Sequence, residues 1–494
     1  MSKNIPSIPA ILAATIGILQ FFTFSFAQEA RIDVDLAANG RLVATIRGKF
    51  SSPAEPKTTS EMWFLDDIAG VKDLFRRRSS VAIYDPWGYL IANQVFNGTV
   101  RVHGDIIGGF RYSIDLAPLG PASAPAHTSW ADASGGVLML DDLLPQSIGR
   151  KSQITLKLPT DWKAFAAESE IAPSVYAVDN VERSVFYIGP KLRSQRVQGG
   201  DSPLDLALSG EWLFTDAEAA NMAGSIFDSY SRQFGQLTTA PRRVFVGKFP
   251  VPTRIGAWEA DTRGRSVTIL SADMPFKAQS IQRLHEQLRH ELFHLWLPNG
   301  VNLGGNYDWF YEGFAQYAAL KTGVATNQIR FDDMLSTLAQ AYNIDRIQPE
   351  RRSLIEASML RFSGGNTTVY ALGMLVAFLI DITLMRSAKG KASVESLIRE
   401  ICIKYPIDGP RVDGNAAILT IMRNRKELGP VIDRYITGRE AIEWQTDLDA
   451  AGIQAIGDAP LTKLSVKSAP TGRQKEILDK LGYNNWRKLT GNLK

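Results

Sequence analysis

Two hydrophobic rhythms divide the chain. From about Arg31 to Pro190 apolar and polar residues alternate, as in Arg41-Leu-Val-Ala-Thr-Ile-Arg47, Phe110-Arg-Tyr-Ser-Ile-Asp-Leu116 and Gln153-Ile-Thr-Leu-Lys-Leu158. A period of two predicts half-buried strands. Asn97-Gly98, between Gln94-Val-Phe96 and Thr99-Val-Arg-Val102, predicts a hairpin, because both residues accept the positive φ of a type I′ turn. The Pro/Ala/Gly stretch Pro118 to Pro125 reads as a loop, and Phe75-Arg-Arg-Arg78 as a solvated one. These signals predict an N-terminal β domain, a sandwich, over residues 28–205.

Near Thr215 the rhythm changes. Thr215-Asp-Ala-Glu218 is a capping-box sequence, in which the Thr oxygen and the Glu carboxylate satisfy opposite backbone N–H groups. Ala219, Met222, Ala223, Ile226, Phe227, Tyr230 and Phe234 follow at helical spacing, and Gly235 ends the helix. Short strands are expected at Val244–Val246 and Ser266–Leu270, and mainly helix from there to about Gly452. Strands followed by helices in this order make the fold class α+β.

Composition narrows the function. The chain has 494 residues, 45% hydrophobic and 21% charged, enough for several domains and not the make-up of a disordered chain. The net charge of +4 is uneven: residues 461–494 hold eight Lys/Arg against two acids, which leaves −2 on the rest. A slightly acidic body argues against a nucleic-acid partner. The single cysteine, Cys402, excludes an internal disulfide and a multi-cysteine metal site, and reads as a small core residue. Residues 7–27 are apolar, follow Lys3 and end in Ser25-Phe26-Ala27, the small-x-small pattern of a cleaved export signal. Cleavage after Ala27 would leave no stable membrane anchor, and an exported chain without disulfides fits a bacterial periplasm or exterior. The alternative is a retained anchor, since the stretch approaches the ~20 residues needed to span a bilayer.

The strongest chemical signal is His290-Glu291-Leu292-Phe293-His294, on a helix expected over Lys277–Leu297. At 100° per residue the two histidines lie ~40° apart, one turn above the other, so both imidazoles can reach one ion. Ile281, Leu284, Leu288, Leu292 and Leu295 gather on the other side, so one face meets core and the other a cleft. Glu291 flanks the ion, where it can take a proton from the attacking water. Pro298 and Gly300 break the helix. A hydrolytic zinc needs a third protein ligand, and Trp309-Phe-Tyr-Glu312-Gly-Phe-Ala-Gln-Tyr317 offers Glu312, eighteen positions after His294. Gly256-Ala-Trp-Glu259-Ala260 lies on an extended segment, from which a carboxylate could hold a substrate's α-ammonium. Tyr370 begins a helix that is apolar nearly all round and therefore internal. Its hydroxyl could serve an oxyanion or simply belong to the core. His103, His127 and His285 read as surface or supporting residues.

The runs H-E-L-F-H-L-W, W-F-Y-E-G-F-A-Q-Y and V-Y-A-L-G-M-L-V-A-F-L-I-D resemble the gluzincin metallopeptidases, specifically the glycyl-aminopeptidase-like family, and less closely the alanyl-aminopeptidase and leukotriene-hydrolase family. The resemblance implies a thermolysin-like zinc domain over 206–345 and a helical lobe over 346–460, with a basic tail at 461–494. It also implies His290, His294 and Glu312 as zinc ligands, Glu291 as general base and Tyr370 as oxyanion donor. Gly256 and Glu259 then belong to the substrate-binding strand. Ala260 stands where that family has a polar residue, and Leu372 where it has a lysine. The function expected is a zinc peptidase acting on peptides, an aminopeptidase by this likeness. The alternatives are an endopeptidase or other hydrolase in the same site, or an exported binding protein whose site has decayed.

Overall fold

The structure is a computed structural model and describes residues 28–36, 40–50, 61–102, 106–119, 124–146, 151–197, 202–388 and 390–484. The leader expected over 1–27 and His103 lie outside the described residues.

In the strand Leu42–Phe50 the alternation turns Leu42, Ala44 and Ile46 inward. The strand pairs antiparallel with Gln28–Leu36 and with Gly109–Asp115, within an eight-stranded sheet. The Asn97-Gly98 hairpin forms, with Phe96 opposite Thr99, and belongs to a three-stranded sheet; Asn97 takes a positive φ of 47° and Gly98 does not, so the turn is not the type I′ expected. A four-stranded sheet contains Gly135–Met139 and Val185–Gly189. One core joins all three: Ile32, Ile46 and Tyr112 from the first, Met62 and Val100 from the second, Leu138, Phe186 and Ile188 from the third.

The four-stranded sheet is buried on both faces, and the period of two explains how. Leu138, Phe186 and Ile188 point into the N-terminal core, while Val137, Met139, Val185 and Tyr187 point the other way and meet Ala207, Phe245 and Leu270. Tyr187 stacks on Phe245 with ring centroids 4.6 Å apart, and its hydroxyl is 2.9 Å from that of Thr268. Those partners belong to a five-stranded sheet ordered Arg193–Val197, Leu204–Leu208, Arg242–Gly247, Ser266–Ser271, Trp258–Arg263. On its far face lie the helices Asp216–Phe234 and Lys277–Phe293, with Val244, Val246, Val267 and Ile269 against Ile226, Leu284, Leu288 and Leu292. A sheet covered on both sides buries every residue along its inner strands, as in Leu204–Leu208 and Ser266–Ser271. Among the described residues Trp258–Arg263 pairs only with Ser266–Ser271 and forms the sheet's edge.

The helix Asp216–Phe234 begins with the expected capping box from Thr215 and Glu218, and Gly235 follows it at φ 100°. The metal-motif helix is shorter than its pattern predicts. It runs Lys277–Phe293, so His294 is its capping residue, and turns continue the chain to Gly300.

Beyond it come Asp308–Ala325, here the glutamate helix, and Asn366–Ser387, the tyrosine helix. The tyrosine helix is long and apolar enough to cross a membrane, with mean hydropathy 2.0 over its best window, yet 89% of that window is buried within the protein. Asp381 in its middle is fully buried and takes hydrogen bonds from Tyr317 Oη at 2.7 Å, Lys321 Nζ at 2.6 Å and the Val394 amide at 2.9 Å. The two helices cross at Gly313 and Gly373. A Cβ on Gly313 would lie 2.5 Å from the Gly373 backbone, so only glycine permits this approach.

The segment from residue 461, expected to be a tail, is folded onto the helical lobe as far as it is described. Thr462 exchanges hydrogen bonds with Asn343. The helix Gly472–Lys480 buries Ile477 and Leu478, and Leu481 follows them into the core. Its basic residues sit on the outer side, which is why charge alone suggested a separate tail.

Candidate functional site

Helix geometry delivers the first two donors. His290 Nε2 and His294 Nε2 are 3.2 Å apart. The glutamate helix brings Glu312 Oε2 to 3.2 Å from the first and 3.5 Å from the second. Two ligands at ~2.05 Å on a tetrahedral ion are about 3.3 Å apart, so all three edges of this triangle have the length that a zinc ion requires. Among the described residues these are the three His, Cys, Asp or Glu side chains whose donor atoms form a metal-type cluster, and all are buried. His294 Nδ1–H donates to the Leu297 carbonyl oxygen at 2.8 Å. That bond fixes the tautomer and leaves the Nε2 lone pair for the ion. Two histidines, one carboxylate and a remaining open position form the donor set of a catalytic zinc.

Glu291 lies on the flank of this triangle. The Thr262 hydroxyl, from the edge strand, donates to its Oε2 at 2.8 Å, while Oε1 stands 4.0 Å from His290 Nε2. One oxygen is therefore pinned and the other turned toward the metal position. Burial raises the Glu291 carboxyl above its ordinary value, and Glu312 adds to this against the pull of both histidines. Burial works the same way on Glu312, but His294, His290 and Arg361 outweigh it and hold that carboxyl well below its ordinary range. Conversely, burial opposes protonation of His294, and Glu312 reverses it, lifting the imidazole to about 9.

Tyr370, in the first turns of its helix, faces His290 with ring centroids 6.2 Å apart and planes 29° from parallel. Its phenol is held well above the usual tyrosine range by burial first and Glu312 next. Arg361, from a helical turn at Arg361–Ser363, donates Nη2–H to Tyr370 Oη at 2.9 Å and to Glu312 Oε1 at 2.8 Å. Its Nη1–H donates to Asp308 Oδ1 at 2.8 Å.

The edge strand sorts its residues by parity. Thr262 reaches Glu291, Ala260 packs against the helical core, and the Trp258 ring lies 6.4 Å from that of His290. Glu259, Asp261 and Arg263 turn toward the N-terminal domain. Glu259 Oε1 accepts from the Ala126 amide at 2.8 Å, Asp261 Oδ2 is 3.4 Å from His127 Nδ1, and Arg263 Nη2 donates to the His127 carbonyl at 3.1 Å. Glu259 is thus held by the Ala126 amide at the junction with the N-terminal sheets. Gly256 sits in the turn before the strand at φ 72°, a left-handed conformation suited to glycine. Leu372 is buried in the helical core. His285 is buried within the metal helix, and Cys402 is half-buried, its thiol pushed up to about 12 by burial.

Thr262, Arg361 and Asp308 are the site residues that sequence reasoning missed. Thr262 carries a faint signal, two positions beyond the expected substrate strand. Arg361 has none, because it lies on an irregular turn.

With this geometry in view, known structures are informative. The chain is similar to an aminopeptidase N family protein from Idiomarina loihiensis, at 14% identity and TM-score 0.70, covering 90% of this chain and 82% of that one. It is also similar to an M1 zinc metallopeptidase from Deinococcus radiodurans, at 16% identity and TM-score 0.55, covering 84% and 94%. The chain has the fold of these zinc metallopeptidases. A mutant of the Deinococcus radiodurans protein, similar at TM-score 0.54 with the same identity and coverage, is described with a Tyr-Ser-Ala substrate bound. The sequence matches no family model and no curated protein.

Proposed function

We propose that the protein is an exported zinc peptidase, and within that class an aminopeptidase. The observation that carries the hydrolytic reading is the Glu291 carboxylate, with one oxygen bonded to Thr262 and the other turned toward three donor atoms at zinc spacing. The fold shared with zinc metallopeptidases, one of them described with a bound tripeptide, supports the reading. When bound, zinc would supply Lewis acidity and lower the pKa of water at the open position. Glu291 Oε1 takes the proton of the attacking water and returns it to the leaving amine. Tyr370 donates its hydroxyl proton to the oxygen that gains charge as the carbonyl becomes tetrahedral. The free edge of Trp258–Arg263 can pair with an extended peptide by main-chain hydrogen bonds. Glu259, one position from the strand's start, would select a free α-ammonium only by turning from the Ala126 amide that holds it.

The test is a digest of peptide pools, free and N-acetylated, by the zinc-loaded protein with and without chelator. The expected result is loss of N-terminal residues from the free pool alone, stopped by chelator and restored by zinc. Internal cleavage of blocked peptides would replace the aminopeptidase with an endopeptidase. Full zinc occupancy without cleavage of either pool would leave a binding protein. N-terminal sequencing of exported protein beginning at Gln28 would support export with cleavage.

A further inference from the structure

Arg361 meets acceptors from two helices of the site at once. Nη2 lies 2.9 Å from Tyr370 Oη and 2.8 Å from Glu312 Oε1, and Nη1 lies 2.8 Å from Asp308 Oδ1. Asp308 is fixed in turn by the Tyr311 hydroxyl at 2.6 Å. The side chain is mostly buried, at 16% exposure, and its Nε has no partner. Such a group would not remain desolvated beside solvent-accessible alternatives unless its position were determined by its acceptors. The turn that carries it is itself fixed. The helix Leu354–Met359 begins in a capping box from Ser353 and Glu356, and a Cβ on Gly365 would lie 2.2 Å from the Ala357 carbonyl oxygen.

A phenol has one proton and accepts through its lone pairs. With Arg361 donating to Tyr370 Oη, that proton must be given in another direction. Glu312 is the resident carboxylate that interacts with the phenol, and its outer oxygen is already bonded to the same guanidinium. In the resting site the Glu312 carboxylate takes the phenolic hydrogen bond. Arg361, on the phenol's lone-pair side, leaves that proton able to turn to an incoming oxyanion, and a permanent cation on the phenol oxygen strengthens it as a donor.

We propose that Arg361 is a positioning residue that aims the Tyr370 proton at the reacting carbonyl while bracing the outer oxygen of Glu312. The proposal rests on the hydrolytic reading of the site. A planar guanidinium can serve these three acceptors together, and a lysine ammonium cannot match that geometry.

The experiment is a double-mutant cycle on the zinc-loaded full chain with Arg361→Gln, Tyr370→Phe and the pair. It is read by zinc content, by kcat and KM, and by calorimetric binding of a phosphinic peptide, an uncleavable tetrahedral anion. Arg361→Gln is expected to keep its zinc, to lower kcat ~30- to 100-fold with KM changed less than ~3-fold, and to weaken phosphinic binding in proportion. In the Tyr370→Phe background the same change should cost less than ~3-fold in either readout. Arg361→Lys should recover only part of the loss, and guanidinium ion should restore activity and phosphinic binding to Arg361→Ala. Independent, multiplicative losses would overturn the proposal. Zinc loss that accounts for the whole effect, or failure of guanidinium to rescue, would also overturn it. If the unmutated, zinc-loaded protein binds phosphinic peptide but cleaves nothing, the catalytic reading fails and the binding cycle still decides Arg361. If it binds none, the proposal fails with that reading.

Discussion

His290 and His294 reach the site from a single helical turn, whereas Arg361 reaches it from a three-residue turn between two helices. The first arrangement is local. Two side chains four apart on a helix converge wherever that helix is placed, so the pair needs no other element to bring it together. The second is entirely tertiary. Arg361 touches Glu312 and Asp308 of one helix and Tyr370 of another, and these meet only because the glutamate and tyrosine helices approach within glycine distance. Ligands can therefore be assigned from spacing, but the groups that aim and brace them depend on how whole helices pack.

The largest expected effect tests the local side. Glu312→Ala removes one of three donors and should abolish stoichiometric zinc, measured by elemental analysis of dialysed protein, and activity with it. Glu291→Gln should separate binding from chemistry, keeping zinc while lowering kcat by about 10²- to 10⁴-fold, the usual share of a general base. Retained activity would remove Glu291 from that role. On the tertiary side, Thr262→Val frees Glu291 Oε2 and should lower kcat roughly 10-fold with zinc intact, about the value of one charge-assisted hydrogen bond. Gly313→Ala forces a methyl into the helix crossing and should destabilise by about 1–3 kcal/mol, read from denaturant unfolding. An unchanged midpoint would mean that the crossing can yield.

The last test is one of pH. Burial, and then the neighbouring Arg289, push His285 down to about 3 from an ordinary 6.5. Between those values the unfolded chain holds a proton that the folded chain does not, so stability is full above about 6.5 and falls as pH drops toward 3. His285→Gln should flatten that part of the acid unfolding curve.

What could be read from the sequence follows the same division. The strands Leu42–Phe50 and Gly109–Asp115, the Asn97-Gly98 hairpin and the capped helix Asp216–Phe234 all announce themselves by periodicity or turn chemistry within a few residues. The metal triangle is legible because its parts lie on regular helices. The end of the metal helix at Phe293 was not, because the apolar pattern continues into Leu295 and Leu297, which are buried from turns rather than from helix. The parity of the edge strand was also hidden. Its six residues are all half-buried, and only the helix on one side and the Ala126–His127 segment on the other reveal which way Glu259 points. The folded state of residues 461–484 was masked by the lysines and arginines interspersed among the apolar residues that anchor the segment.

The tyrosine helix has a consequence for how this molecule is made. Its wrapping comes from both directions along the chain, from Asp308–Ala325 and Phe331–Arg346 before it, and from Val394–Lys404 and Gly472–Lys480 after it. A polypeptide made only as far as Ser387 would carry a segment as oily as a lipid-crossing one, covered by the helices translated before it and bare where the later ones belong. Every residue of the proposed chemistry has been made by position 370, yet the helix that supports Tyr370 gains its last cover only when Ile477 and Leu478 arrive. The support of the reactive centre is therefore completed by residues more than a hundred positions further along the chain.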